Sequence, residues 1–199
     1  MAGTPRPCKP PPRGCASVAY RQAVQLIRAK DIILLVYRCV AGLSTANRIR
    51  HTAQPMETTQ RAREHSGLSR VGYTDAFRVE TARRFSPVEL ARNVFEQPHP
   101  PLPATLHFLW SKIVRLDLAS RADRTRVLGW KVLTPSNDTV VLASDAPGMH
   151  VRLIGVVEPA AVSWTATIEY QKWYGRALFT VLGPVHRTLA GYLLARAAC

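Results

Sequence analysis

The sequence predicts an α+β fold, an antiparallel sheet packed on a long C-terminal helix with two shorter helices. Three observations predict it. Apolar residues recur at helical spacing up to Leu116, the period changes to two from Gly129, and helical spacing returns after Trp173. The strand-like runs of about five to nine residues are joined by tight turns, the pattern of an antiparallel meander. The final apolar stripe, Trp173–Arg196, spans about 36 Å at a helical rise of about 1.5 Å per residue, enough to lie along a whole strand.

Composition sets the outer bounds. The chain has 199 residues, 47% of them hydrophobic, which argues for one folded core with extra sequence at an end and against wholesale disorder. Its net charge of +14 is unevenly spread. Residues 1–55 hold nine of the 27 Lys and Arg and one acid, Asp31, an excess of +8; residues 56–199 hold 18 basic and 12 acidic groups, an excess of +6. The second excess favours some attraction to polyanions without requiring it. Three of the four cysteines, Cys8, Cys15 and Cys39, lie before residue 56, and Cys199 is last. A core without cysteine excludes a disulfide or a thiolate metal site there, and fits a reducing, cytoplasmic setting. The most apolar run of the N-terminal part, Ile32–Tyr37, falls far short of the roughly 20 residues a membrane span needs. The chain is expected to be soluble and not exported.

Residues 1–55 are expected to be a poorly structured basic extension. Pro10-Pro11-Pro12 forbids regular structure, and the charges within Ala23–Leu43 spoil the face of the short helix expected there. Three readings stay open: a targeting peptide, a basic arm touching nucleic acid or acidic lipid, or a segment outside the natural product. The third rests on Met56, which opens a plausible protein start just ahead of the patterned region. Residues 56–199 then form a single domain.

Within that domain, Val71–Val79 reads as a short strand or extended entry. Ser86-Pro87-Val88-Glu89 predicts a capping box with Pro at the first helical position, and Val88, Ala91, Val94 and Phe95 continue it to Glu96. The Pro-rich stretch Gln97–Pro101 ends that helix. A second helix is expected over Pro103–Ala119, with Leu106, Leu109, Trp110, Ile113 and Leu116 on one side. Ser120–Arg126 is a charged loop. Strands follow at Trp130–Leu133, Thr139–Ala143, Met149–Val157 and Val162–Tyr170. In the last of these, Val162, Trp164, Ala166, Ile168 and Tyr170 oppose Ser163, Thr165, Thr167 and Glu169, so the sheet is expected to be covered on one side only. The cover is the C-terminal stripe, in which Pro184 cannot donate to Thr180 and predicts a kink or restart.

The order and spacing of Gly129-Trp130, Pro147-Gly148-Met149, Thr165-Ala166-Thr167, Tyr174-Gly175-Arg176 and Gly183-Pro184-Val185-His186-Arg187 resemble an uncharacterised bacterial family, a domain of unknown function. That domain occurs alone or C-terminal to short-chain-dehydrogenase-like NAD(P)-binding domains. The family is similar to the helix-grip superfamily of START-like lipid-transfer and pollen-allergen proteins, in which a sheet wraps a long C-terminal helix. The resemblance covers about residues 68–196 and implies a helix-grip fold. This chain lacks a GxGxxG segment, so the chemistry of the fused enzymes does not carry over, and no cofactor is expected.

A sheet gripping a helix leaves room for an apolar cavity, with Trp164, Ile168, Tyr170, Phe179 and Leu182 as candidate lining. The alternative, that these residues simply fill the core, stays open. Arg176 could pair with Glu169 or hold an anionic ligand, and His186 could act as a base or sit hydrogen-bonded and neutral. About 15 Å apart along a helix, the two cannot bind one small group together unless a break at Gly183-Pro184 folds the chain. Arg121, Arg124 and Arg126 could cradle a phosphate or face solvent. Scattered histidines, with no HxxxH or HExxH, argue against a metal, and neither GxSxG nor a P-loop is present. The leading expectation is a domain that binds a small hydrophobic molecule between sheet and C-terminal helix. The alternatives are a cyclase- or hydratase-like enzyme using His186 as general base, and a polyanion-binding protein working through the basic loop and N-terminus. Nucleic acid is an unlikely partner on these motifs, since no zinc finger or RNA-binding sheet motif occurs.

Overall fold

A computed structural model of the chain describes residues 53–56, 60–98 and 102–199. The elements run in order β1 (Gln54–Pro55), α1 (Gln60–Ser66), β2 (Val71–Glu80), α2 (Pro87–Phe95), α3 (Leu102–Phe108), β3 (Lys131–Pro135), β4 (Thr139–Ala146), β5 (Met149–Val157), β6 (Ala161–Tyr170) and α4 (Trp173–Ala198). The six strands form one open antiparallel sheet in the order β1-β2-β6-β5-β4-β3. With the 26-residue α4 packed against it, this is an α+β, helix-grip-like arrangement.

Local chemistry explains most of the elements. Ser86 Oγ accepts the Glu89 N–H while the Glu89 carboxylate accepts the Ser86 N–H, each at 3.3 Å, so the expected capping box starts α2. The helix expected over Pro103–Ala119 is shorter and changes character. It is α-helical to Phe108 and then widens into a π turn, Leu109–Val114, which ends at Arg115 in the left-handed region with φ 63°. The Leu116 N–H closes the end by donating to the Trp110 carbonyl at 2.9 Å. Proline does not restart α4, which is helical without interruption through Pro184.

Two expectations need correction. Gln54 and Pro55, assigned to the extension, pair with Arg78 and Phe77 of β2, so the sheet reaches past the expected boundary at residue 56. The short helix expected within Ala23–Leu43 lies outside the described residues. The sheet is also not covered on one side only. Ser163, Thr165, Thr167 and Glu169 are all buried on β6, and Val141, Ile154 and Val156 form a second apolar cluster beside them. β6 lies mid-sheet between β2 and β5, and the backbone N–H groups of Ser69 and Arg70, just after α1, close over Glu169 at 3.0 and 3.1 Å. Small hydroxyl side chains fit a tightly covered face as well as an exposed one, so alternation alone does not separate the two.

The start of α4 is fixed by a close approach of backbones. The Gly148 carbonyl, in the β4–β5 turn, accepts from the N–H groups of Gln171 and Lys172 at 2.8 and 3.1 Å. A Cβ on Gly175 would lie 2.7 Å from that same carbonyl oxygen, so only glycine lets the first turn of the helix sit there. The Pro147-Gly148-Met149 and Tyr174-Gly175-Arg176 segments therefore meet in space.

Candidate functional site: a cavity beneath the C-terminal helix

Between sheet and α4 lies a cavity of about 80 Å³. Its floor is Trp164, Ala166 and Ile168 of β6 with Met149, Val151 and Leu153 of β5. Its roof is one face of α4, Phe179, Leu182, Val185, His186, Leu189 and Leu193, at steps of three and four residues. Val94 and Phe95 of α2 and Leu109, Trp110 and Val114 of the π turn close the side. Edge-to-face contacts set that wall: Phe95 meets Trp110 and Trp164 at 5.3 Å each, and Trp110 meets Trp130 at 5.4 Å. Close-packed interiors leave few voids larger than a water. This one is several times the roughly 10–15 Å³ a single water needs, and about half the roughly 150 Å³ apolar cavity that admits benzene. It takes a small apolar group unaided, and anything longer must move a wall.

Few of the lining residues carry a polar group. Trp130 Nε1 and His186 Nε2, on two of the lining residues, are buried without a hydrogen-bond partner, as is Asp75 Oδ1 behind them. Each such group costs about 1–3 kcal/mol relative to a satisfied one, which makes the trio the place where function and stability diverge.

Asp75 was not singled out from the sequence. A register shift at Gly72 brings Tyr73 opposite Ile168 and Asp75 opposite Ala166, so both side chains share the face that looks at α4. Tyr73 donates to Asp75 Oδ2 at 2.9 Å, and His186 Nε2 lies 3.6 Å from the same oxygen. Arg187 Nε donates to the Tyr73 hydroxyl at 3.2 Å. A polar chain thus runs from Arg187 at the surface, through Tyr73 and Asp75, to His186 in the cavity roof. Burial, and then the Asp75 charge, push the Tyr73 hydroxyl up to about 12, so it stays protonated and remains a donor. The legible signal was the spacing of Tyr73, Asp75, Phe77 and Val79, which sets an acid in an otherwise apolar alternation.

Of the candidate lining residues, Trp164, Ile168, Phe179, Leu182 and His186 border the cavity. Tyr170 and Arg176 do not. They line a second, open pocket of about 300 Å³ with Tyr73, Thr180, Pro184 and Arg187, and Phe179 belongs to both spaces. Tyr170 ends β6, and its ring lies against Gly72, where a Cβ would come within 2.5 Å of it. Arg176 does not pair with Glu169 either. Glu169 accepts from Arg70 N–H, Ser69 N–H and Gln171, which hold its carboxyl below the usual range. The separation of Arg176 from His186 follows: one faces the outer pocket and the other the cavity.

The basic loop is partly neutralised. Arg126 pairs with Asp123 at 3.5 Å, and the Arg124 carbonyl is bound by Arg92 at 2.7 Å, while Arg121 and Arg124 point to solvent. Among the described residues, no group of three or more His, Cys, Asp or Glu could hold a metal ion, and no helix is long and apolar enough to cross a membrane. Comparison with protein-family models, curated proteins and solved structures returns no match to this chain.

Proposed function

We propose that this domain, in the cytoplasm, binds a small hydrophobic molecule between the sheet and the C-terminal helix, as in the helix-grip proteins it resembles. One observation carries the reading: an apolar cavity remains where sheet and helix should otherwise close, with Trp130 Nε1 and His186 Nε2, neither of them in a hydrogen bond, on residues of its wall. Such a space suits an apolar body with one polar group to fix its orientation. The test is mass spectrometry of organic-solvent extracts from the purified chain, beside an Ala166→Leu variant that fills the floor. A small apolar compound should copurify with the native chain and be lost from the variant at unchanged fold. Equal retention by both would defeat the reading.

A second reading is favoured by the Asp75–His186 contact. A carboxylate beside an imidazole stabilises the ring after it takes a proton, which suits His186 to serve as a general base in cyclase- or hydratase-like chemistry on the same ligand. His186→Gln should then retain the extracted compound but stop its conversion when the two are incubated together. Conversion at the native rate in that variant would remove the enzymatic claim.

A further inference from the structure

We propose that the ligand is an amphiphile whose anionic head, a carboxylate or phosphate, rests in the outer pocket lined by Arg176 and Arg187 while its apolar part passes Phe179 into the cavity. The proposal rests on the cavity reading above and names the class of molecule that the cavity takes.

The charge of the outer pocket is unopposed on its own wall. Arg176 and Arg187 flank it from its two ends, about three turns apart on one face of α4. Among the described residues Arg176 makes no ion pair, and Arg187 uses only Nε, toward Tyr73, which leaves its terminal nitrogens free to donate. No carboxylate lines the pocket. The nearest, Asp75, is buried behind Tyr73 and bound by its hydroxyl. The two phenols, Tyr73 and Tyr170, are both held protonated chiefly by burial, so neither adds a negative charge. Two guanidinium groups in a partly enclosed, otherwise neutral pocket focus a positive field on whatever occupies it.

Phe179 joins this pocket to the cavity. Its ring belongs to both walls, packs edge-on against Tyr73 at 4.6 Å and meets the His186 ring at a tilt at 5.4 Å. The helix there is the easiest part of the roof to move. Pro184 leaves the Thr180 carbonyl without its helical donor, and Phe179 and Leu182 are only half-buried, whereas the roof from Leu189 onward is buried. A rotation of Phe179 would therefore open the cavity directly onto the cationic pocket. An alcohol or hydrocarbon would use the cavity alone, and a free anion the pocket alone. An anionic amphiphile uses both.

The experiment is titration calorimetry of the full chain with octanoate, octanol, acetate and inorganic phosphate. Octanoate should bind at least tenfold more tightly than octanol, and acetate or phosphate at the same concentration should not displace it. Arg176→Gln, at an exposed position whose side chain makes no hydrogen bond or ion pair, should weaken octanoate several-fold and leave octanol unchanged; the Arg176→Gln, Arg187→Gln pair should abolish the preference. Ala166→Leu should weaken both. Equal binding of octanoate and octanol would overturn the head-group site while the cavity reading stands. Full competition by phosphate or acetate, with octanoate indifferent to Ala166→Leu, would mean an anion site unconnected to the cavity. If neither eight-carbon compound binds, the cavity reading fails and this proposal falls with it.

Discussion

His186 Nε2 on the C-terminal helix lies 3.6 Å from Asp75 Oδ2 on β2, a contact between residues 111 positions apart in the chain. It joins the only acid on the helix-facing side of β2 to the polar group in the cavity roof. A double-mutant cycle of Asp75→Asn and His186→Gln, read by denaturant unfolding, should give a coupling of about 0.5–3 kcal/mol. Strict additivity of the two substitutions would mean that the contact carries no energy.

Tyr73 makes a prediction at high pH. Its hydroxyl is raised from 10.0 to about 12, so its contribution to stability is complete below the ordinary tyrosine value and is lost as pH rises through about 12. Ultraviolet titration should show one tyrosine ionising after the others. Tyr73→Phe should remove that late step and flatten the fall of melting temperature between these limits.

Glu169 works in the opposite direction. The N–H groups of Arg70 and Ser69 hold its carboxyl below the ordinary value of 4.5, so its contribution is present above that value and is lost as pH falls through the lowered one. Glu169→Gln should lower the melting temperature at neutral pH, and the gap from the native chain should close in acid. A constant gap across that range would exclude the carboxylate as its source.

Gly155 and Trp164 sit directly opposite each other on β5 and β6, and a Cβ on Gly155 would come within 2.7 Å of the indole. Gly155→Ala must move that ring, which forms part of the cavity floor. The substitution should cost about 1–3 kcal/mol in stability, as overpacking does. It should also reduce retention of the bound compound, with the displaced indole visible as a shifted tryptophan emission.

Much of the cavity could be read directly from the chain. The apolar phase of β6 set Trp164 and Ile168 on one face, and the helical spacing of Phe179, Leu182 and His186 set those three on another. Each face is a property of one element, so short-range period was enough. Tyr170 escaped that logic, because its phase matches the floor but its ring lies against Gly72 and lines the outer pocket. Asp75 and Tyr73 escaped it for another reason: the irregular register at Gly72 shifts the phase of β2 against β6, and pairing fixes that shift. The π turn at Leu109–Val114, which turns Trp110 and Val114 toward the cavity, leaves no period of its own in so short a run.

The sequence by itself determined the α+β class, the capping box at Ser86, the strand order in the chain and the apolar face of the last helix, because each follows from local pattern and backbone chemistry. Tertiary structure alone decided that Asp75 would meet His186, that Arg176 would share a pocket with Arg187, and that the far face of β6 would be buried. Those relations depend on which strands become neighbours and on a single shift in their register. A pattern within one element carries no record of either.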